Sequence, residues 1–283
     1  MQKKISLFLD KYFPYLHNTI KLHRFLVRAR KASSLETRYA VELKQIQNQT
    51  LKILCCPQKT ALDIGANYGT VSYLLAQNSK DVIAFEPLPL LARYIEKLAH
   101  KAKLPIRVEN CALSNEDGEA VIQTPRGYNG CTTLEQDNNH FLSLAKYSEV
   151  IRTKIKLRTL DSYRFDALSV IKIDVEGHQA PLLDGAKKTI ATHKPHIFIE
   201  IDNTQHPEST KTIPLILKDM DYIGYFQGGP GLLISMKYFT DEQFHRPPRK
   251  DKNHVWINDF FFFHKDRIAE LKDTEKYGIE FLD

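Results

Sequence analysis

The chain has 283 residues, 42% of them hydrophobic and 26% charged, with a formal net charge of +6, a balance that suits one large α/β domain with an appendage and excludes a disordered chain. It contains no run of about 18 apolar residues, and its basic N-terminus lacks an apolar core followed by a small-residue cleavage site, so neither a transmembrane helix nor a secretory signal is expected and a cytoplasmic location is predicted. The charge is concentrated: residues 1–44 hold ten Lys or Arg against Asp10, Glu36 and Glu42, a local +7, so the rest sums to −1, and a near-neutral body argues against a broad nucleic-acid groove.

In chain order, residues 1–58 read as a basic helical extension. Ile5, Phe8, Leu9, Tyr12 and Phe13 recur at helical spacing until Pro14, and Leu22, Phe25, Leu26 and Ala29 resume the stripe. Lys21, Arg24, Arg28 and Lys31 fall at i, i+3, i+7 and i+10, one cationic face of an amphipathic helix. That face admits three readings: a solvated surface, peripheral docking of residues 16–31 on an anionic membrane, or nucleic-acid contact. Ser33 and Glu36 have capping-box spacing and open another helix that ends before Pro57. Cys55, Cys56, Cys111 and Cys131 form no C-x-x-C pair, as expected of reduced thiols.

From residue 59 to 267 short apolar strands alternate with helical stretches, which predicts a doubly wound, mostly parallel sheet covered on both faces. The strands expected are Thr60–Ile64, Val82–Phe85, Ile106–Glu109, Val170–Asp174, His196–Ile201, Tyr222–Phe226 and Val255–His264. The last is expected to be antiparallel, entered through a loop over Gly228–Asn253. Residues 113–159 interrupt the alternation as an insertion with candidate strands at Glu119–Thr124 and Lys154–Thr159, and residues 268–283 read as a C-terminal tail.

The first strand ends at Asp63 and runs into a bend with Gly65 and Gly69 before a helix near Thr70, the nucleotide-binding crossover of such a sheet. The second strand ends in Glu86-Pro87, where an acid can accept hydrogen bonds from both hydroxyls of an adenosine ribose. NAD-type enzymes share this layout. Here, however, the glycines are spaced G-x-x-x-G with Ala66 and Asn67 between them, and a carboxylate precedes them, which suits a cationic ligand such as S-adenosylmethionine (SAM) better than a pyrophosphate. Asp174-Val175-Glu176-Gly177-His178 leaves the fourth strand near the switch point, and Asp174 and His178 are the candidate proton acceptors, with Glu176 between them. His178 also fits a helix-capping role. Lys172 either faces the substrate rim or pairs with an acid. Glu200 and Asp202 are expected to project together, and with Asp174 would offer three oxygen donors to Mg²⁺, although no metal is required by this reading. Tyr128, Phe141 and Tyr147 are candidate stacking groups for a sugar, whereas Phe260–Phe263 read as core.

The ordered set D-I-G-A-N-Y-G, A-F-E-P-L-P, C-A-L-S, Y-N-G-C-T-T-L, T-L-D-S-Y, I-K-I-D-V-E-G-H, L-L-D-G-A and I-F-I-E-I resembles the FkbM family of SAM-dependent methyltransferases. The resemblance implies a class I methyltransferase (Rossmann-like) fold. It also implies that Asp63, Gly65, Asn67 and Gly69 line the methionine end of SAM, that Glu86 takes the ribose, and that Asn110, Cys111 and Ala112 border the adenine. The expected activity is O-methylation of a sugar or polyhydroxylated metabolite, with a glycan or glycolipid precursor among the candidates. The alternatives are an RNA methyltransferase, a binding module that holds SAM without turnover, and an NAD enzyme. An oligomer is compatible with the apolar stripe of the N-terminal helices.

Overall fold

The computed structural model describes residues 49–126, 129–135, 138–146, 149–229, 232–241, 257–272 and 279–283. The basic helices expected over residues 1–48, with the membrane-docking face at 16–31, lie outside the described residues, as do Tyr128 and Tyr147.

Thr60-Ala-Leu-Asp-Ile64 forms β1, and all five residues are buried, as a strand covered on both faces requires. Left-handed Gly69 caps α1 (Thr70–Ala76). Then come β2 (Asp81–Phe85) and α2 (Pro89–Ala102). In α2, Pro89 opens the first turn, Leu91, Ala92, Ile95 and Ala99 form the buried stripe, and left-handed Lys103 ends it. Next are β3 (Ile106–Glu109), β4 (Ala112–Leu113), β5 (Gly118–Pro125), α3 (Asn139–Ala145), β6 (Val150–Arg158) and β7 (Leu168–Ile173). The chain continues through α4 (Gln179–Asp184), α5 (Lys187–His193), β8 (His196–Glu200), α6 (Ser209–Asp219), β9 (Tyr222–Gly229), β10 (Leu232–Ser235), β11 (Asp259–His264), α7 (Ile268–Lys272) and β12 (Glu280–Leu282).

Contacts group the described residues into a larger unit, Leu51–Gly224 with Asn258–Glu270, and a smaller one that includes the described parts of Tyr225–Ile257 and Leu271–Asp283. In the larger unit the strands run β11-β8-β7-β1-β2-β3. The pairs β1–β2, β1–β7, β2–β3 and β7–β8 are parallel, and β11 lies antiparallel to β8, as expected. Successive strands leave β1 in one direction through β2 and β3, and the chain then returns to its other side through β7 and β8. The crevice above β1 and β7 is therefore the switch point where an open α/β sheet binds its ligand.

Residues 113–159 form a second sheet ordered β4-β6-β5, in which β5 and β6 pair antiparallel along their length from Gly118↔Leu157 to Pro125↔Val150. In the smaller unit β10 pairs antiparallel with β9 and parallel with β12. Two expectations change here: the stretch read as a continuous loop contains β10, and the stretch read as a tail contains α7 and β12. Phe260–Phe263 are buried core residues, as expected, with Phe198 and Phe261 ring centroids 4.7 Å apart.

Candidate active site

A cleft of about 620 Å³, counted to its open mouth, lies at the carboxyl ends of β1, β2 and β7. Gly65 and Asn67 border it from the β1 loop, Glu86 and Pro87 from the β2 end, Cys111–Leu113 from the entry to the insertion, and Asp174–Glu176 and His178 from the β7 loop. Ile122, Gly130, Thr132 and Leu134 close it from the insertion.

Backbone geometry explains the first glycine. Gly65 has φ +75°, and a Cβ there would lie 1.8 Å from the carbonyl oxygen of Asp174, so only glycine lets the β1 and β7 loops touch. The amides of Gly65 and Ala66 both donate to the carbonyl of Phe85, at 3.0 and 3.1 Å, which fastens the bend to the end of β2.

Glu86 is buried and accepts two backbone hydrogen bonds, from the amide of Asn67 at 2.7 Å and from that of Leu88 at 2.9 Å. Burial pushes its pKa up to about 7 against the opposing pull of those amides and of Lys172. Asn110 lies outside the cleft lining, contrary to the expected border on the adenine. Its side-chain amide donates to the carbonyls of Glu86 and Pro87, at 2.8 and 3.0 Å, and so holds the acid in place from behind.

Asp63 is fully buried and also lies outside the lining. Ser72 donates to its Oδ2 at 2.5 Å, and the ammonium of Lys172 is 3.2 Å from its Oδ1. The same ammonium donates to the carbonyl of Gly65 at 2.8 Å and approaches Asp174 Oδ2 at 3.5 Å. Burial works against the charge on Lys172, but Asp63 and Asp174 outweigh it and raise its pKa. Of the two readings of Lys172, the structure thus shows the ion pair. Asp63 meets that lysine rather than the open cleft, because the two are register partners on the adjacent strands β1 and β7. Ala66 is buried, and Gly69 packs on Ile95, where an added Cβ would come within 3.1 Å of it.

The acidic loop after β7 adopts left-handed backbone at Glu176 (φ 49°) and Gly177 (φ 100°). The insertion holds it there: Thr133 Oγ1 and Asn138 Nδ2 both donate to the carbonyl of Glu176, at 2.8 and 2.9 Å. Asp174, Glu176 and Glu200 each bring a carboxylate oxygen within 4.8 Å of the others, close enough to share a cation or protons. This corrects the expected trio, in which Asp202 stood in place of Glu176. Strand β8 ends at Glu200, so strand alternation does not reach Asp202, whose Oδ1 accepts the Thr204 amide at 2.6 Å. Burial, then Asp174 and Asp202, push Glu176 up to about 9. Burial first, and Asp174 second, hold the Glu200 proton well above the usual carboxylate range. Gln205 donates to Glu176 Oε2 at 3.0 Å and Asn258 to Glu200 Oε1 at 2.6 Å.

His178 occupies the N-cap position of α4 but makes no side-chain cap bond. Its ring is engaged on both sides, with Nδ1 2.6 Å from Glu135 Oε1 and Nε2 2.9 Å from Ser114 Oγ. The imidazole thus ties the insertion to the β7 loop, and neither nitrogen is left over for a substrate proton. Asp174, whose side chain is 36% exposed, is the open carboxylate of the group. Phe141 is buried and unavailable for stacking on a sugar. Ser114, Thr133, Glu135, Asn138, Gln205 and Asn258 were not singled out by spacing. Only Ser114 and Thr133 fall within motifs, C-A-L-S and Y-N-G-C-T-T-L, that carried the resemblance.

The residues present fit SAM. Pro87, Cys111, Ala112, Leu113, Ile122 and Leu134 give the cleft apolar lining for a purine, and Glu86 and Asp174 add carboxyl groups. Asn67 borders it with a side-chain oxygen that has no hydrogen-bond partner among the described residues, an acceptor left for a ligand N–H.

Comparison with solved structures gives an FkbM methyltransferase from Methylobacillus flagellatus KT, with 17% identity and TM-score 0.46 over 88% of this chain and 60% of that one. This chain therefore spans less than two thirds of that protein's length. A candidate methyltransferase of Streptococcus mutans in complex with SAH gives 9% identity and TM-score 0.43 over 78% and 97% of the two chains. An rRNA methylase from Streptococcus thermophilus gives 9% and 0.42 over 78% and 96%. A search of curated proteins found no match. The model of the methyltransferase FkbM domain matches residues 63–223, more than half of the chain. With that match over the strands and loops that build the cleft, the chain belongs to the FkbM family of SAM-dependent methyltransferases.

Proposed function

We propose that the protein methylates a hydroxyl oxygen of a sugar or polyhydroxylated metabolite, such as a glycan or glycolipid precursor. The observation that carries this reading is the group of three carboxyls, Asp174, Glu176 and Glu200, of which the first two border the cleft. Hydroxyls donate to carboxylates and accept from protonated carboxyls, so an acidic pole favours an acceptor rich in O–H groups.

SAM, when bound, supplies a methyl group activated for in-line displacement. The rest falls to the chain. Glu86 would hold the ribose end, and the Gly65–Asn67 bend would shape the approach to it. Asp174, the open carboxylate, would accept the hydroxyl proton, with the ammonium of Lys172 3.5 Å from it. Glu176, pushed up to about 9 by burial and its acidic neighbours, would hold a proton near neutral pH and orient a neighbouring hydroxyl, and Glu200, also raised by burial, would stand behind it. His178, fixed between Glu135 and Ser114, would keep the acidic loop in register with the insertion.

A labelled-methyl transfer screen against nucleotide sugars, glycolipid precursors and RNA tests the reading. Label in a hydroxyl-bearing saccharide is the expected result. Label only in RNA overturns it, and SAH binding without transfer to any acceptor would identify a non-catalytic SAM-binding module instead.

A further inference from the structure

Beside the cleft, the loop after β1 and the helix α2 present a surface outside the cleft lining. Leu90 is 78% exposed, Tyr94 51% and Tyr68 52%, an unusual concentration of large apolar side chains in water. Tyr68 and Tyr94 meet edge to face with centroids 5.9 Å apart, so the loop after β1 and the first half of α2 form one patch. Tyr68 adjoins the cleft residue Asn67, and α2 begins two residues after the cleft residue Pro87. The patch therefore flanks the cofactor side of the opening.

The charge on this face has one sign. At 3.6 residues per turn, Leu90, Arg93, Tyr94, Lys97 and Lys101 share a single stripe, and all are exposed. The acid of this helix, Glu96, points about a third of a turn away from Leu90. Arg93, Lys97 and Lys101 form no ion pair among the described residues.

We infer that this face docks on an anionic lipid bilayer, with Leu90 entering the acyl boundary, Tyr94 and Tyr68 at the headgroup level, and Arg93, Lys97 and Lys101 against anionic headgroups. Aliphatic tip, tyrosines and cations on one helical stripe are what an interfacial surface combines. A second copy of this chain fits worse, since like stripes would bring three cations against three. RNA would satisfy the cations, but it has no use for an aliphatic side chain as exposed as Leu90. The inference concerns α2, not residues 16–31, and does not depend on the acceptor assigned above.

Co-sedimentation of the full chain with vesicles of phosphatidylcholine alone, and with phosphatidylglycerol added, tests it. Binding is expected only with the anionic lipid, and it should weaken as salt rises. The double variant Leu90→Asp, Tyr94→Ala should lose about tenfold or more in partitioning, while its SAH affinity, measured by calorimetry, stays that of the parent. Should that variant fold poorly, Arg93→Glu with Lys97→Glu, which changes charge alone, must remove the preference for phosphatidylglycerol. Parent-like vesicle binding by either folded variant overturns the inference and assigns the binding to another part of the chain. Absence of vesicle binding by the parent, or binding to an RNA oligonucleotide alone, overturns it as well.

Discussion

The ammonium of Lys172 stands 3.2 Å from a carboxylate oxygen of Asp63, and the lysine side chain is only 7% exposed while that of the aspartate is fully buried. Removing one member of such a pair leaves the other charge without compensation inside the sheet. Lys172→Met is therefore expected to cost about 3–5 kcal/mol of stability. Chemical denaturation checks it, and a loss under about 1 kcal/mol would mean that Ser72 alone suffices for Asp63.

Glu86 gives the site a pH dependence. With its pKa near 7 in the unliganded protein, it gains its charge as pH rises through neutrality, and the charged form is the better acceptor for ribose hydroxyls. SAH affinity should accordingly strengthen from about pH 6 to pH 8, and Glu86→Gln should flatten that profile and weaken binding by about tenfold or more. Calorimetry across this range provides the measurement. The stability effect has the opposite slope: the folded chain holds the Glu86 proton above its ordinary value of 4.5, so this group's contribution falls as pH rises from there to about 7 and then levels off.

Asp174 and His178 should separate kinetically. Asp174→Asn removes the proposed proton acceptor and is expected to lower kcat by about 10²–10⁴-fold with SAH affinity little changed. His178→Gln breaks the Glu135–Ser114 link and should disturb the loop, raising KM and lowering kcat together. A pure kcat loss in His178→Gln with unaltered KM would return the base role to the imidazole.

Gly65→Ala should be poorly tolerated, because its methyl would meet a backbone carbonyl and not a side chain able to turn away. The left-handed φ adds its own penalty, and together they should cost about 3 kcal/mol or more. Thermal melts with and without SAH check this. A variant with parental melting temperature and affinity would show that the β1 and β7 loops separate readily.

Chelation tests how the acidic group is neutralised. Burial raises Glu176 to about 9 and Glu200 above the usual carboxylate range, and Lys172 stands beside Asp174, so turnover should survive EDTA. Lost activity restored by Mg²⁺ would assign Asp174, Glu176 and Glu200 to the cation instead.

The sequence made the central sheet legible because each of its strands is a short apolar run with a clear stop. Thr60–Ile64 and Ile106–Glu109 match residue for residue, and the antiparallel β11 followed from the lack of a helix before it. Strands β10 and β12 escaped because four- and three-residue runs in polar or glycine-rich surroundings carry no periodicity. Glu86 and the bend were legible from local spacing. The partners that decide the chemistry were not: Asp63 finds Lys172, and His178 finds Ser114 and Glu135, across long stretches of chain. Strand alternation also placed Asp202 with Glu200, an inference that fails once the strand stops.

Two side chains of the insertion, Thr133 and Asn138, converge on one carbonyl of the acidic loop. Under the proposed reading, acceptor choice and proton transfer are thereby mechanically coupled. A foreign insertion grafted onto this scaffold would have to bring its own pair of donors, or the graft would alter reactivity along with acceptor choice. Acceptor range in this enzyme should then change by point substitution within the insertion more readily than by swapping it whole.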